Sequence, residues 1–186
     1  GNFTLAYPIK VNQQAQIIKV LSHVGEGFSI GLEVGSKPEL IAVMGVQDDP
    51  GSLTLCNGYK DEEYIELALI AKKVGRRPIV IIEKASELGL ILSVSERLGV
   101  DPEIGFRVRV AGKGAGRWEK SGGDRAKFGL TISEILCCVE ELKRHKKTHI
   151  LKLIHFHIGS QLTSISNLRT GLKEACQVYA QLHKHC

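Results

Sequence analysis

Hydrophobic and polar positions alternate in blocks along this chain of 186 residues. Six short runs rich in β-branched and apolar residues stand out: FTLAYPIKV from Phe3, FSIGLEVG from Phe28, SLTLCNG from Ser52, PIVIIEK from Pro78, EIGFRVRVAG from Glu103 and HILKLIHFHIGS from His149. Runs of this length and composition predict strands, and the stretches between them carry apolar residues at helical spacing. Ile17, Val20, Leu21 and Val24 form one stripe, Ile65, Ala68 and Leu69 a second, and Ile135, Val139 and Leu142 a third. Gly25, Gly75 and Gly99 fall where three of these helices should stop, because glycine takes the left-handed conformation that closes a helix. Pro78 and Pro102 then open the next two runs.

Strand-then-helix units at regular spacing predict a parallel sheet, since parallel neighbours need a crossover and near-continuous apolar strands need cover on both faces. Two α/β architectures meet these demands. A doubly wound sheet would place a glycine-rich turn after its first strand to cradle a nucleotide, whereas here that turn reads VNQQ. The (β/α)8 TIM-type barrel, roughly 250 residues when complete, is the preferred reading. About six βα units lie within residues 1–186, which makes the chain an incomplete barrel domain whose remaining strands fall beyond Cys186. It opens inside a strand-like run and stops without a helix-ending glycine or proline, as a fragment would.

One segment breaks the rhythm. AGKGAGRWEKSGGDRAKFG, Ala111 to Gly129, is a long glycine-rich polar loop after the fifth strand, at the end where barrel enzymes build their sites. Its plain reading is a mobile lid. The alternative is a phosphate cradle at Gly112, Gly114 and Gly116, although neither GxGxxG nor GxxxxGKS/T is completed.

Composition narrows the class further. With 43% hydrophobic and 24% charged residues the chain has the balance of a soluble globular protein. No run approaches the roughly 20 apolar residues that a membrane helix requires, and no basic-then-apolar signal segment leads the chain. Cysteines 56, 137, 138, 176 and 186 show neither CxxC nor zinc-ligand spacing, and an odd number argues against a disulfide framework. A reducing compartment, the cytoplasm, is therefore expected, with organellar targeting left open by the missing start. The net charge of +5 is scattered apart from Lys143, Arg144, Lys146 and Lys147, and aromatics make up only 5%. Nucleic acid would call for a basic stripe with aromatics to stack on, so it is not an expected partner.

In a barrel the C-terminal strand ends converge on one pocket, and the polar residues at those ends are Lys10, Glu33, Asn57, Glu83, Arg109, His155, His157 and Ser160. Lys10 sits inside a strand signal with amides rather than charges beyond it. Its amine is either a snorkelling surface group or a nucleophile for a carbonyl, given a site that lowers its pKa from about 10.4. The second reading calls for an aldehyde cofactor or a carbonyl substrate. His155 and His157, two apart on a strand, share a face. They read as core imidazoles, as ligands of a metal-dependent barrel hydrolase, or as one imidazole lying flat on an aromatic ring; no third ligand lies nearby in sequence. Ser160 is a phosphate contact or a turn serine, and Ser164 and Ser166 compete to cap the next helix.

The motifs YPIKVNQ, GLEVGSKPEL, CNGYKD, SGGDRAKFGL and HFHIGSQ, in this order and spacing, closely resemble those of the biosynthetic arginine decarboxylases, pyridoxal-phosphate enzymes of the alanine racemase-like barrel class. The likeness runs from Asn2 to the closing QVYAQLHKHC. HIGS and KFG are shared with ornithine and diaminopimelate decarboxylases, while YPIKVNQ with CNGYKD is more specific to the arginine branch. The resemblance implies that Lys10 forms the internal aldimine with pyridoxal 5′-phosphate, that His157 stacks on the cofactor ring and that Ser160 contributes to the phosphate site. It also implies Arg109 as the arginine near the cofactor and Glu33 as the acid facing the aldimine; His155 receives no role.

The implied reaction is decarboxylation of L-arginine to agmatine and CO2, a step of polyamine and spermidine biosynthesis. The resemblance further implies a homo-oligomer with its active site at the subunit interface, and Mg2+ enters on the resemblance alone. The family's glycine-rich phosphate loop after the seventh strand, the acidic partner of the pyridine nitrogen on the eighth, and the proton-donating cysteine and substrate-binding acid of a later β-rich domain all fall outside 1–186. This stretch alone is therefore expected to be inactive. Competing readings are an ornithine- or diaminopimelate-type decarboxylase, a metal-dependent hydrolase on His155 and His157, and a non-catalytic relative that regulates a partner. Arginine rests on the resemblance, because a guanidinium must meet carboxylates and this stretch carries excess positive charge.

Overall fold

Six strands alternate with six α-helices in the computed structural model, which describes residues 3–24, 30–47, 49–110, 128–159 and 165–185. β1 (Leu5–Pro8) passes through a 3-10 turn (Ile9–Val11) into α1 (Ala15–Val24), β2 (Ile30–Val34) into α2 (Lys37–Val46), and β3 (Leu53–Cys56) into α3 (Glu62–Lys73). β4 (Arg77–Ile82) leads to α4 (Ser86–Leu98) and β5 (Glu103–Val108) to α5 (Ile132–Arg144). A second 3-10 turn (Thr148–Ile150) precedes β6 (Leu151–Phe156) and α6 (Ile165–His185).

The strands hydrogen-bond in chain order from β1 to β6. β1 to β4 pair in parallel, with Pro8 opposite Glu33, Glu33 opposite Leu55 and Leu55 opposite Ile79. An order that never reverses separates the two architectures, because a doubly wound sheet turns back at a switch point. Right-handed crossovers that always step the same way are instead the construction of a (β/α)8 barrel, of which six units are present.

The chain divides into two units, Gly1–Ile81 with Ser86–Ile104, and Ile82–Ala85 with Gly105–Cys186. In the first, Leu32 and Val34 of β2, Leu40 and Val43 of α2, Ile65, Ala68 and Leu69 of α3, and Leu88 and Ile91 of α4 are all buried. In the second, Phe106 of β5 is fully buried, as are Ile135, Val139 and Leu142 of α5. Burial of each such large side chain contributes about 1.5–3 kcal/mol.

Local chemistry sets the helix ends. Ser36 caps α2 through the Glu39 N–H, and Asp61 caps α3 through the Tyr64 N–H. Glu62 and Glu63 in the first turn of α3 and Lys72 and Lys73 in its last turn complement the helix dipole. Thr131 and Glu134 form a capping box at the start of α5. Gly75 and Gly99 come after α3 and α4 with φ of +91° and +64°, as their positions predicted.

The strands are shorter than the apolar runs. His149 lies in the second 3-10 turn rather than in β6, and β4 begins at Arg77, one residue before Pro78. The predicted stripe on α1 is shifted, since Ile18 is buried while Val20 is exposed. Gly25, Ser164 and all of the Ala111–Gly129 loop except Phe128 and Gly129 lie outside the described residues.

Candidate functional site

Pro8 ends β1 because it has no N–H for a further ladder bond. The 3-10 turn after it buries Ile9 and turns Lys10 outward, leaving its side chain 68% exposed. The expectation of a lysine held inside a strand is therefore corrected: the residue lies two positions past the strand, in the 3-10 turn. Its Nζ stands 3.9 Å from Oε1 of Glu33, a half-buried carboxylate on β2. At that separation the two groups attract as ions without a hydrogen bond.

Three strand-end turns in the same unit support this pair. Gln13 Nε2 donates to Glu39 Oε1 at 3.2 Å, and the Gly35 N–H donates to Glu39 Oε2 at 2.6 Å, so one carboxylate ties the VNQ segment to the β2–α2 turn. The β3–α3 turn lies against that one: a Cβ on Gly58, whose φ is +79°, would stand 2.5 Å from the Gly35 carbonyl oxygen. Only glycine satisfies both the left-handed backbone and the close approach.

Below this contact Lys60 is buried, with its Nζ 3.5 Å from Glu87 Oε2 and donating to the Gly58 carbonyl. The Lys60 backbone N–H donates to Glu87 Oε1 at 3.0 Å. Tyr64 Oη donates to the carbonyls of Val34 and Asn57, each at 3.3 Å. Burial pushes the Cys56 thiol up to about 12, against the opposing charge of Lys60, so this cysteine stays a neutral thiol. Asn57 is buried and its Oδ1 has no hydrogen-bond partner among the described residues.

The second unit carries another polar group. Glu83, just past β4, pairs with Arg107 at 3.1 Å, and the Arg107 guanidinium lies 5.4 Å from the Phe128 ring centroid. Arg109 donates from a terminal nitrogen to the Gly129 carbonyl at 3.0 Å, while its Nε is buried without a partner among the described residues. Gly129, with φ of +94°, lets the chain return beside β5, where Arg109 and Leu130 exchange backbone bonds with Leu130 and Arg107. His155 is half-buried in β6, and His157 is exposed one residue beyond it. Ser160 lies outside the described residues.

The structure thus brings Lys10 and Glu33 together in one unit, with Asn57 on a neighbouring strand end, and sets Arg109 and His157 in the other. Sequence reasoning missed Lys60 and Glu87, because no periodicity marks a buried charge, and it missed Glu39, whose bond to Gln13 joins residues of different turns. It also passed over Arg107, which strand alternation places on the same face as Arg109.

The comparisons with known proteins agree with this arrangement of motifs. A family model described as pyridoxal-dependent decarboxylase, pyridoxal binding domain, matches residues 1–186. The chain is 52% identical over 182 residues to a biosynthetic arginine decarboxylase of Phocaeicola vulgatus and 46% identical over 184 residues to that of Escherichia coli K12. These alignments take in 98% and 99% of the chain but only 29% and 28% of the relatives. The crystal structure of the biosynthetic arginine decarboxylase SpeA of Campylobacter jejuni superposes with a TM-score of 0.88 at 37% identity, over 99% of this chain and 29% of that one. A diaminopimelate decarboxylase of Helicobacter pylori shares the fold at 23% identity, with a TM-score of 0.81 over 99% of this chain and 45% of that one. With a match over its whole length, the chain belongs to the pyridoxal-dependent decarboxylases and corresponds to their pyridoxal-binding domain.

Proposed function

We propose that this chain is the Lys10-bearing part of a decarboxylase that converts L-arginine to agmatine and CO2 with pyridoxal 5′-phosphate, as the names of its relatives suggest. The observation that carries the proposal is the pairing of an accessible lysine amine with a carboxylate at a barrel strand end, Lys10 Nζ to Glu33 Oε1, 3.9 Å. The residues fit the cofactor. An accessible primary amine suits an aldehyde, and the orphaned, buried Asn57 Oδ1 leaves hydrogen-bonding capacity for a polar ligand.

When bound, the cofactor supplies a conjugated pyridinium ring that accepts the electrons left on the α-carbon as CO2 departs. The protein's part begins at Lys10 Nζ, which must lose a proton before its lone pair can attack a carbonyl carbon. Glu33, its ion-pair partner 3.9 Å away, holds that amine at the strand end. Arg109, His157 and Ser160 are assigned to cofactor binding on family likeness, His157 as the imidazole against the ring and Ser160 as a phosphate contact. Arg107 joins Arg109 as a cation on the same strand face.

The chain spans under a third of its curated relatives, so the remaining barrel strands, the C-terminal β domain, the homo-oligomer with its interfacial site and the cytoplasmic setting belong to the same proposal. Agmatine places the reaction in polyamine biosynthesis. Mg2+ rests on the resemblance alone, and the hydrolase reading gains no support either: among the described residues no group of three or more His, Cys, Asp or Glu could hold a metal.

The test is an absorbance spectrum of the full-length protein with pyridoxal phosphate, beside Lys10→Ala. An imine band that disappears in the variant, with CO2 released from arginine in preference to ornithine, is the expected result. A band that persists in Lys10→Ala would overturn the assignment of this lysine, and preference for ornithine would overturn the substrate.

A further inference from the structure

Asn57 stands at the centre of an arrangement that no backbone requirement explains. Its N–H donates to the Val34 carbonyl at 2.8 Å and its carbonyl accepts from Tyr64 Oη, so its main chain is satisfied. On its C-terminal side Gly58 presses against Gly35, and the buried Lys60 ties the Gly58 carbonyl to the Glu87 carboxylate. Two buried charges, a tyrosine hydroxyl and a left-handed glycine thus hold one short turn. Yet the residue that this turn presents is only 6% exposed, and its Oδ1 bonds nothing among the described residues. A buried acceptor without a donor costs free energy, and native proteins keep few of them.

The register says where this amide stands. Glu33 is opposite Leu55, and the bond from the Asn57 N–H to Val34 carries the β2–β3 ladder past the last strand residue. Residues two apart on a strand share a face, so Asn57 lies on the face of Leu55 and Glu33, about 7 Å further toward the C-terminal end. Lys10 Nζ approaches that face at Glu33.

We propose that Asn57 is a further binding residue of the Lys10 site, whose side-chain amide hydrogen-bonds the pyridoxal phosphate engaged by that lysine, and that the Lys60–Glu87 pair holds it ready. The inference rests on the cofactor reading above. It has a consequence that a structural asparagine would not share. Removing the amide from the ligand-free protein relieves an unpaired buried acceptor, so stability without cofactor should be unchanged or higher while cofactor affinity falls.

The experiment uses the full-length protein and its Asn57→Ala variant, stripped of cofactor. Melting temperature is measured first, and pyridoxal phosphate is then titrated by absorbance. The expected result is a melting temperature equal to or above that of the parent, with a dissociation constant about tenfold larger, the factor of one ordinary hydrogen bond. Unchanged affinity would overturn the proposal, and so would a cofactor-free melting temperature that falls, which marks a structural residue. Asn57→Ser, which is shorter but still polar, is read by the same two criteria if the alanine variant does not fold. A parent protein without a Lys10-dependent imine band would instead overturn the cofactor reading and this inference with it, whereas a normal band alongside unchanged Asn57→Ala affinity refutes the inference alone.

Discussion

Lys60 and Glu87 show how a single pair can shape a site without touching a substrate. Both side chains are almost wholly removed from water, and a charge in that setting is tolerable only while its partner is present. Lys60→Met is therefore expected to destabilise the protein by about 3–5 kcal/mol, because the Glu87 carboxylate is left buried without its counter-charge. The double variant Lys60→Met/Glu87→Leu should cost clearly less than the single one, since no charge then remains to desolvate. Urea denaturation of the two variants checks this, and equal costs would mean that the pair contributes through packing rather than charge. Lys10 lies at the opposite extreme. Its strand signal suggested burial, but Pro8 stops the ladder and the 3-10 turn swings the amine outward, a result of one missing N–H that hydrophobic periodicity does not report.

At the level of elements, helix stops were more legible than strand ends, since Gly75 and Gly99 follow α3 and α4 with the left-handed backbone their positions predicted, whereas the caps at the helix starts went unread. Ser36, Asp61 and Thr131 each stand immediately before a helix and cap it, because a short polar side chain can reach the free N–H groups of the first turn. The α5 capping box yields a pH-dependent expectation. The Thr131 backbone N–H and then its hydroxyl hold the Glu134 carboxyl below its ordinary value of 4.5. A carboxyl depressed by folding stabilises the protein fully above the unfolded value near 4.5, and that contribution is lost as pH falls through the lower folded value. Glu134→Gln should accordingly narrow its stability gap to the parent as pH is lowered from neutral through 4.5 and below. Thr131→Ala should cost about 1 kcal/mol at neutral pH. Denaturant midpoints across pH measure both, and a gap that does not narrow in acid would exclude the carboxylate as the source.

For the molecule as a whole, the strands follow one another in the sheet in chain order, and the motifs spread along the chain from Lys10 to His157 belong to one family signature. The same order bounds what this stretch can do. The six βα units among the described residues do not supply the eight strands of a closed barrel. Residues 1–186 alone are expected to release no CO2 from labelled arginine, whereas the full-length protein should; turnover by the short chain would place the complete catalytic machinery within it.

The sequence by itself determined the kind of fold, because strand and helix periods and helix-stopping glycines are local properties that hydrophobic burial and backbone hydrogen bonding enforce wherever they occur. It also determined the family, through motifs whose order the match over the whole chain bears out. Only the tertiary structure decided which polar residues meet. The bond from Gln13 to Glu39, the pairing of Lys60 with Glu87 and the pairing of Arg107 with Glu83 join residues 24 to 27 positions apart. Such contacts depend on strand register and on the removal of water around two charges at once, and neither is a property of any short stretch of chain.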